Sequence, residues 1–546
     1  MIRKAWAILQ AAALMLTAGA TAEKKETKTL RILATSDLHG KMVPWDYILN
    51  GESPVGSMAQ LATAVAKYRT AETLLVDAGD TIQDNRAELF VGTEGTHPMV
   101  QALNAIGYDI WVTGNHEYNF GMNEVRKTIA DVRAKVLTGN VRDETGEPIA
   151  DGWTIRKLNG IRVAVIGMVT HNIARMDTMK LKDCTITDPL TETRKILDEI
   201  RGRYDVLLGV FHLGINNEFG VPNSGVTDIL NACPEFDVMI ASHDHKLIPS
   251  LEINGVLVTE NKAYAQSMAV IDLELEQDGN GWKVRSKQAQ SVDVGAFEPD
   301  PAMMALMAPY DSAAREDAKK VIARLEGGPM VPPDRPGELP EIWTRDTALA
   351  DLIQQVQMHF TGAPVSAALP PLPGTSLSPG DIHQYDLPKI YRYQNTLCRL
   401  RMNGKQLKKY MEWAVSIFNT RKEGEPVTVN PEIPSYNYDQ FEGVCYEVDI
   451  SREPGNRIRN LTWPDGTPVE DTEEFDVAVN SYRANTQLLM PGVIFEENEL
   501  PLLMEADVRG EDIGDIREMI RVYITAVKGG VLTPDCSGNW KLTGIE

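Results

Sequence analysis

Short runs of β-branched and other apolar residues recur through the first half of the chain, at residues 30–35, 73–78, 109–113, 161–169, 206–211, 238–241 and 269–276. Each has the length of a strand and is bounded by turn-forming residues. Between several of them the apolar spacing changes. Met58, Leu61, Val65 and Tyr68 fall three or four residues apart, as on one face of a helix. Strand–helix alternation of this kind predicts an α/β layered domain, here over 28–295. Beyond it a charged stretch over 311–327 predicts a helix, and the sequence GGPMVPPDRPGELP breaks it, so 296–340 is expected to be a connector. A helix over 347–360 then opens a second, smaller α/β domain, expected over 341–546.

Composition adds three constraints. A chain of 546 residues, 43% hydrophobic, is too long for one core and too apolar for disorder, which agrees with two domains. The first 22 residues carry Arg3 and Lys4, an apolar run over 5–16, and Ala20 and Ala22 in an A-x-A pattern. They read as a cleaved secretory signal peptide, because the run is shorter than the ~20 residues that span a bilayer. An exported protein is expected, periplasmic, cell-wall-associated or secreted, with no membrane span. A formal net charge of −23 excludes binding to nucleic-acid polymers through a basic surface, so a phosphorylated substrate would need metal cations to meet it. The five cysteines form no disulfide or zinc-knuckle pattern, and no feature points to an obligate protein partner.

The candidate chemistry lies at the ends of the predicted strands. SDLHG follows the first and brings Asp37 and His39; GD follows the second with Asp80; GNHE follows the third with Asn115 and His116. The run over 206–211 ends in His212, and 238–241 in SHDH, with His243 and His245. In open α/β sheets, sites form beyond the carboxyl ends of the strands. D-x-H or GD alone is a common turn sequence. As an ordered set at successive strand ends, two aspartates, an asparagine and four of the five histidines supply ligands for two metal sites sharing a carboxylate. Such N/O-rich sites suit Zn, Mn, Fe or Co, and a pair ~3.5–4 Å apart clamps a phosphoryl group and acidifies a water.

This set resembles the calcineurin-like metallophosphoesterases, and within them the bacterial 5′-nucleotidase and 2′,3′-cyclic-nucleotide phosphodiesterase/3′-nucleotidase group. TALADLIQQVQMHFTGAPVSAA, YQNTLCRLRMNGKQLKKYMEWA, PSYNYDQFEGVCYEVDI and VAVNSYRAN extend the resemblance into the second domain. It implies a four-layer β-sandwich flanked by helices, followed by a nucleotidase C-terminal domain. It further implies two divalent metal ions, with Asp37, His39 and His245 on one, Asn115, His212 and His243 on the other, and Asp80 on both. His116 would then face the substrate phosphate.

In the 5′-nucleotidase branch an aspartate follows that histidine by three positions. Here GNHEYNFG has Asn119, as in the cyclic phosphodiesterase branch, whose motif reads GNHEFNYG. An asparagine can orient the ring but adds no charge to stabilise an imidazolium. By the same resemblance Tyr482, with Tyr393 or Tyr436, would sandwich a base, which suits a site accepting several nucleotides. The implied activity is opening of 2′,3′-cyclic nucleotides and hydrolysis of 3′-nucleotides; a 5′-nucleotidase or nucleotide-sugar hydrolase is the alternative. Two departures stand out. Residues 368–382, ALPPLPGTSLSPGDI, offer no arginine where many relatives carry a Gly/Arg-rich loop, and Gln83-Asp84-Asn85-Arg86 replaces Q-G-S-P.

Overall fold

Strands that are apolar on both faces need cover on both faces. A computed structural model describes residues 25–545 apart from 219–220, 336–337, 394 and 510–512, and supplies that cover by packing two six-stranded sheets together. The first sheet runs Gly281–Asp293, Ser267–Asp278, Thr27–Thr35, Thr73–Asp77, Ile110–Val112 and Lys135–Leu137. The second runs Ile248–Ile253, Val256–Glu260, Val238–Ala241, Val206–His212, Ile161–Val169 and Trp153–Leu158. Alternate side chains divide the burial. Leu30, Ile32 and Ala34 point into a core shared with Val163, Val165, Val206 and Leu208, whereas Leu33 joins an outer core. Helices Met58–Tyr68, Pro98–Ile106 and Pro301–Ala318 contribute to that outer core, and Pro189–Ile200 and Val226–Ala232 cover the other sheet. The result is the four-layer sandwich.

The registers position the site. Thr27–Thr35 pairs in parallel with Thr73–Asp77, and Ile110–Val112 continues the parallel set. In the second sheet, Ile161–Val169, Val206–His212 and Val238–Ala241 are parallel, with His212 opposite Val169. The carboxyl ends therefore open on one edge, where SDLHG, GD, GNHE, His212 and SHDH follow their strands.

The second unit has a five-stranded sheet in the order Gln440–Glu442, Val365–Ala368, Glu474–Asn480, Leu397–Asn403 and Leu502–Glu505. Helices Ala348–Thr361 and Gly404–Ala414 pack on it.

The expected helix over 311–327 is corrected. It begins at Pro301, where the Asp300 side chain accepts from Met303 N, and ends at Ala318. Its buried Met303, Met307 and Ala314 pack on the first unit, reinforced by Tyr47 Oη donating to Asp311 at 2.8 Å and by the Arg315 guanidinium 3.5 Å from the Trp45 ring. Residues Val321–Leu325 are a strand paired with Gly380–His383 and Val531–Leu532. The second unit thus begins ahead of residue 341, because Ala323 and Leu325 alternate into its core.

All five cysteines are free. No described helix is long and apolar enough to cross a membrane. The expected signal peptide over 1–22 lies outside the described residues.

Candidate metal centre and cavity

The loops at the open edge have an unusual backbone. Asp37, His39, Asp80, His243 and His245 have φ of 53°, 45°, 59°, 78° and 59°. Side chains in this left-handed region cost on the order of 1–3 kcal/mol each unless their surroundings dictate it. Here loops lock one another: Asp37 N donates to Gly79 O at 2.8 Å, His39 N to Asp80 O at 2.9 Å and Gly40 N to Thr81 O at 3.0 Å. Glycine is needed where two of them cross, since a Cβ on Gly79 would lie 2.2 Å from Gly114 N. Beneath the crossing, the fully buried Glu117 carboxylate accepts from the backbone N–H groups of Gly114 and Thr81 at 2.6 Å, Asp80 at 2.9 Å and Ile82 at 3.3 Å.

Two groups of metal-ligating atoms result. Asp37, His39, Asp80 and His245 form one, and Asp80, His212 and His243 the other, each with all its atoms within 4.8 Å of one another. Asp80 Oδ2 lies between them, 3.8 Å from His39 Nε2 and 3.2 Å from His212 Nε2. Asn115 Oδ1 completes the second group at 2.9 Å from His212 Nε2 and 2.8 Å from His243 Nδ1.

The donor set fits a pair of divalent cations. Asp37 Oδ2 and Asp80 Oδ2 are buried without hydrogen-bond partners. Three imidazoles have their far nitrogen held, as metal-ligating histidines do: His39 Nδ1 by Gln83 Oε1 at 3.2 Å, His212 Nδ1 by Ala78 O at 2.7 Å, and His243 Nε2 by Glu218 Oε1 at 3.1 Å. Electrostatics agrees. Burial opposes charge on His212 and His243, yet Asp80 outweighs it at the first and Glu218 at the second, holding them up to about 10 and about 9. Burial prevails at His39, which is pushed down to about 4.

His116 adjoins both groups without belonging to either. Its backbone N–H donates to Asp80 Oδ1 at 2.8 Å and its ring meets His39 edge-on at 5.3 Å. His116 Nδ1 lies 2.6 Å from Asn119 Oδ1, and Asn119 Nδ2 donates to Asp177 Oδ2 at 2.8 Å. The ring thus meets an amide and not a carboxylate, and the nearest carboxylate on this side, Asp177, stands behind that amide without touching the ring.

A cavity of about 540 Å³ covers the centre and is walled by both units. His39, Asn115, His116, His243 and His245 lie on one side, Tyr393, Tyr436 and Tyr482 on the other. Tyr436 meets Tyr482 at 90° with centroids 6.4 Å apart, so that pair does not present the parallel faces of a sandwich. Although residues 368–382 lack arginine, Arg392 lines the cavity, as does Tyr264. The departure at Gln83-Asp84-Asn85-Arg86 also acquires a structural role: Gln83 holds His39, Tyr264 Oη donates to Asp84 at 3.3 Å, and Arg86 pairs with Asp317.

Residues 30–247 match the family described as calcineurin-like phosphoesterase, and residues 321–490 the family described as 5′-nucleotidase, C-terminal domain. The chain is a calcineurin-like phosphoesterase joined to a 5′-nucleotidase C-terminal domain. It is a metal-dependent phosphoric ester hydrolase. It is 25% identical, over 96% of its length and 89% of the relative's, to the 2′,3′-cyclic-nucleotide 2′-phosphodiesterase/3′-nucleotidase of Haemophilus influenzae. It is 26% identical over 95% of its length to the trifunctional nucleotide phosphoesterase protein YfkN of Bacillus subtilis, of which it spans 39%. The 5′-nucleotidase precursor of Thermus thermophilus shares the fold, with a TM-score of 0.63 at 18% identity over 95% of this chain and 100% of that one.

In this phosphoesterase, sequence reasoning missed Glu117, Asp177, Glu218 and Arg392. Glu117 lay inside the quoted GNHE; the others come from segments without a recognisable pattern.

The crossing loops and the charge they hold can each be tested. Glu117→Gln turns an amide donor toward backbone donors, and each N–H left unpaired costs about 1–3 kcal/mol. The melting temperature and the metal content should both fall; an unchanged melting curve would show that the loops are held by other contacts. Metal binding requires neutral imidazoles. With His212 and His243 held at about 10 and about 9, the metal-free centre carries protons on both at pH 7. Loading Mn²⁺ or Zn²⁺ should release them, and affinity should rise with pH until the higher value is passed. Calorimetry at pH 7 in buffers of different ionisation enthalpy should give different heats, and equal heats would refute the protonated state.

Proposed function

We propose that this hydrolase opens 2′,3′-cyclic nucleotides to 3′-nucleotides and cleaves these to nucleoside and phosphate. The observation that carries the reading is Asn119, whose amide oxygen rather than a carboxylate meets the His116 ring, within GNHEYNFG. The printed name of the Haemophilus influenzae relative supports it. In this reading Asp37, His39 and His245 hold one divalent ion, Asn115, His212 and His243 the second, and Asp80 both. When bound, the pair supplies charge that draws in the phosphoryl oxygens and lowers the pKa of water at the site.

The remaining work belongs to the chain. His116 stabilises the developing negative charge or protonates the leaving oxygen through Nε2. Tyr482, with Tyr393 or Tyr436, receives the base, and the second unit carries these rings to the centre by closing on it. One site serves both steps because each displaces an oxygen from a phosphorus held by the same groups. The reading of residues 1–22 makes the substrates extracytoplasmic nucleotides.

Rates on 2′,3′-cyclic AMP, 3′-AMP and 5′-AMP test the substrate class. The first two should exceed the third by at least about tenfold, a transition-state difference of ~1.4 kcal/mol. A preference for 5′-AMP would establish the 5′-nucleotidase alternative. Asp80→Ala should abolish turnover and lose more than one metal equivalent per chain; loss of a single equivalent with activity retained would remove Asp80 from the shared position.

A further inference from the structure

Asp177 has no part in this reading, yet it lines the cavity, is nearly buried, and points its carboxylate at the Asn119 amide, which hydrogen-bonds the His116 ring. We propose that Asp177 is a positioning residue for His116, acting through the Asn119 amide to set which ring nitrogen carries the proton. The proposal rests on the reading that His116 faces the substrate.

The argument is one of donors and acceptors. His116 and Asn119 lie three apart in the short helical turn His116–Phe120, which places their side chains on one side. An asparagine amide has two ends, and either could face the ring. With Nδ2 inward, the imidazole would have to accept at Nδ1 and carry its proton on Nε2. With Oδ1 inward, Nδ1 must be the donor. A carboxylate can only accept, so Asp177 takes the Nδ2 end at 2.8 Å and leaves Oδ1 for the ring, 2.6 Å from Nδ1. The neutral ring therefore presents an unprotonated Nε2, and the doubly protonated ring a donor there.

A second contact holds the carboxylate. Lys180 Nζ lies 3.6 Å from Asp177 Oδ1 and also donates to the Asn119 backbone oxygen, so one ammonium ties residues 119 and 177 together. Burial raises the Asp177 carboxyl, while Lys180, His116 and the Asn119 hydrogen bond favour its ionised form.

The test compares Asp177→Leu, Asp177→Asn, Asn119→Asp and the exchange Asn119→Asp/Asp177→Asn, with His116→Ala as baseline. Each metal-loaded protein is assayed on whichever nucleotide turns over fastest. Asp177→Leu should lose about tenfold or more in kcat, part of the roughly 10²–10⁴-fold a positioned acid or base supplies, with KM and metal content unchanged. Asn119→Asp should be impaired because two carboxylates then face each other, and the exchange should recover activity by separating them. Ring ¹⁵N shifts, assigned by difference from His116→Ala, should report the Nδ1–H form in the wild type and a mixture in Asp177→Leu. Wild-type kcat in Asp177→Leu beside an impaired His116→Ala, or an exchange no better than Asn119→Asp, would overturn the inference and leave the role of His116 standing. Wild-type kcat in His116→Ala would overturn that role and this inference with it.

Discussion

Negative charge buried without enough water around it is the constraint on which the site depends. Asp37, Asp77, Asp80 and Glu117 are all buried at or just beyond the strand ends. Burial, with Glu117 and Asp37 nearby, pushes Asp77 up to about 8, and burial with Asp80 nearby raises Glu117. Such groups persist only if donors or cations surround them. Glu117 takes backbone N–H groups, and Asp77 takes the Thr35 hydroxyl at 2.6 Å and Gly79 N at 3.0 Å. Asp80 is held well below the usual carboxylate range, burial notwithstanding, by His212 and His116. Asp37 Oδ2 and Asp80 Oδ2 remain, each within a group of atoms that could hold a divalent cation, which would complete the balance. Structural and metal-facing carboxylates thus solve the same problem with different partners.

The fold makes this arrangement stiff. Parallel strands in register deliver each loop to the same edge, and the apolar layer between the sheets holds the registers. Polar contacts between the second unit and this edge include Arg517 3.6 Å from Glu88 and Arg175 3.1 Å from the Met490 sulfur. A rigid centre faced by a wall from the other unit suits a site whose substrate must enter between them.

What was legible in the sequence follows from this division. The strand runs and the residues just beyond them could be read because a parallel sheet turns sequence order into spatial convergence. The clustering of the histidines was legible as a set for that reason, not singly. Contacts that cross from one segment to another were not. Asp177 is separated from Asn119 by 58 positions and lies in a stretch without periodic pattern. Glu218 reaches His243 from a loop, and Arg392 stands one residue ahead of the segment that carries the resemblance. The strand Val321–Leu325 was hidden because five residues with a mid-strand arginine fit the tail of a charged helix as well as a strand.

The same distance hid what stands behind residue 119. Taken with its neighbours, Asn119 removes a carboxylate from the histidine. In the folded chain the carboxylate has moved outward by one hydrogen bond, and the amide carries its orienting effect while reducing its charge at the ring. An aspartate at 119 would set two carboxylates at the distance now spanned by an amide hydrogen bond, where like charges repel. The choice at 119 is therefore coupled to what stands at 177. A carboxylate touching the histidine requires a neutral residue behind it, and a carboxylate behind requires an amide in front.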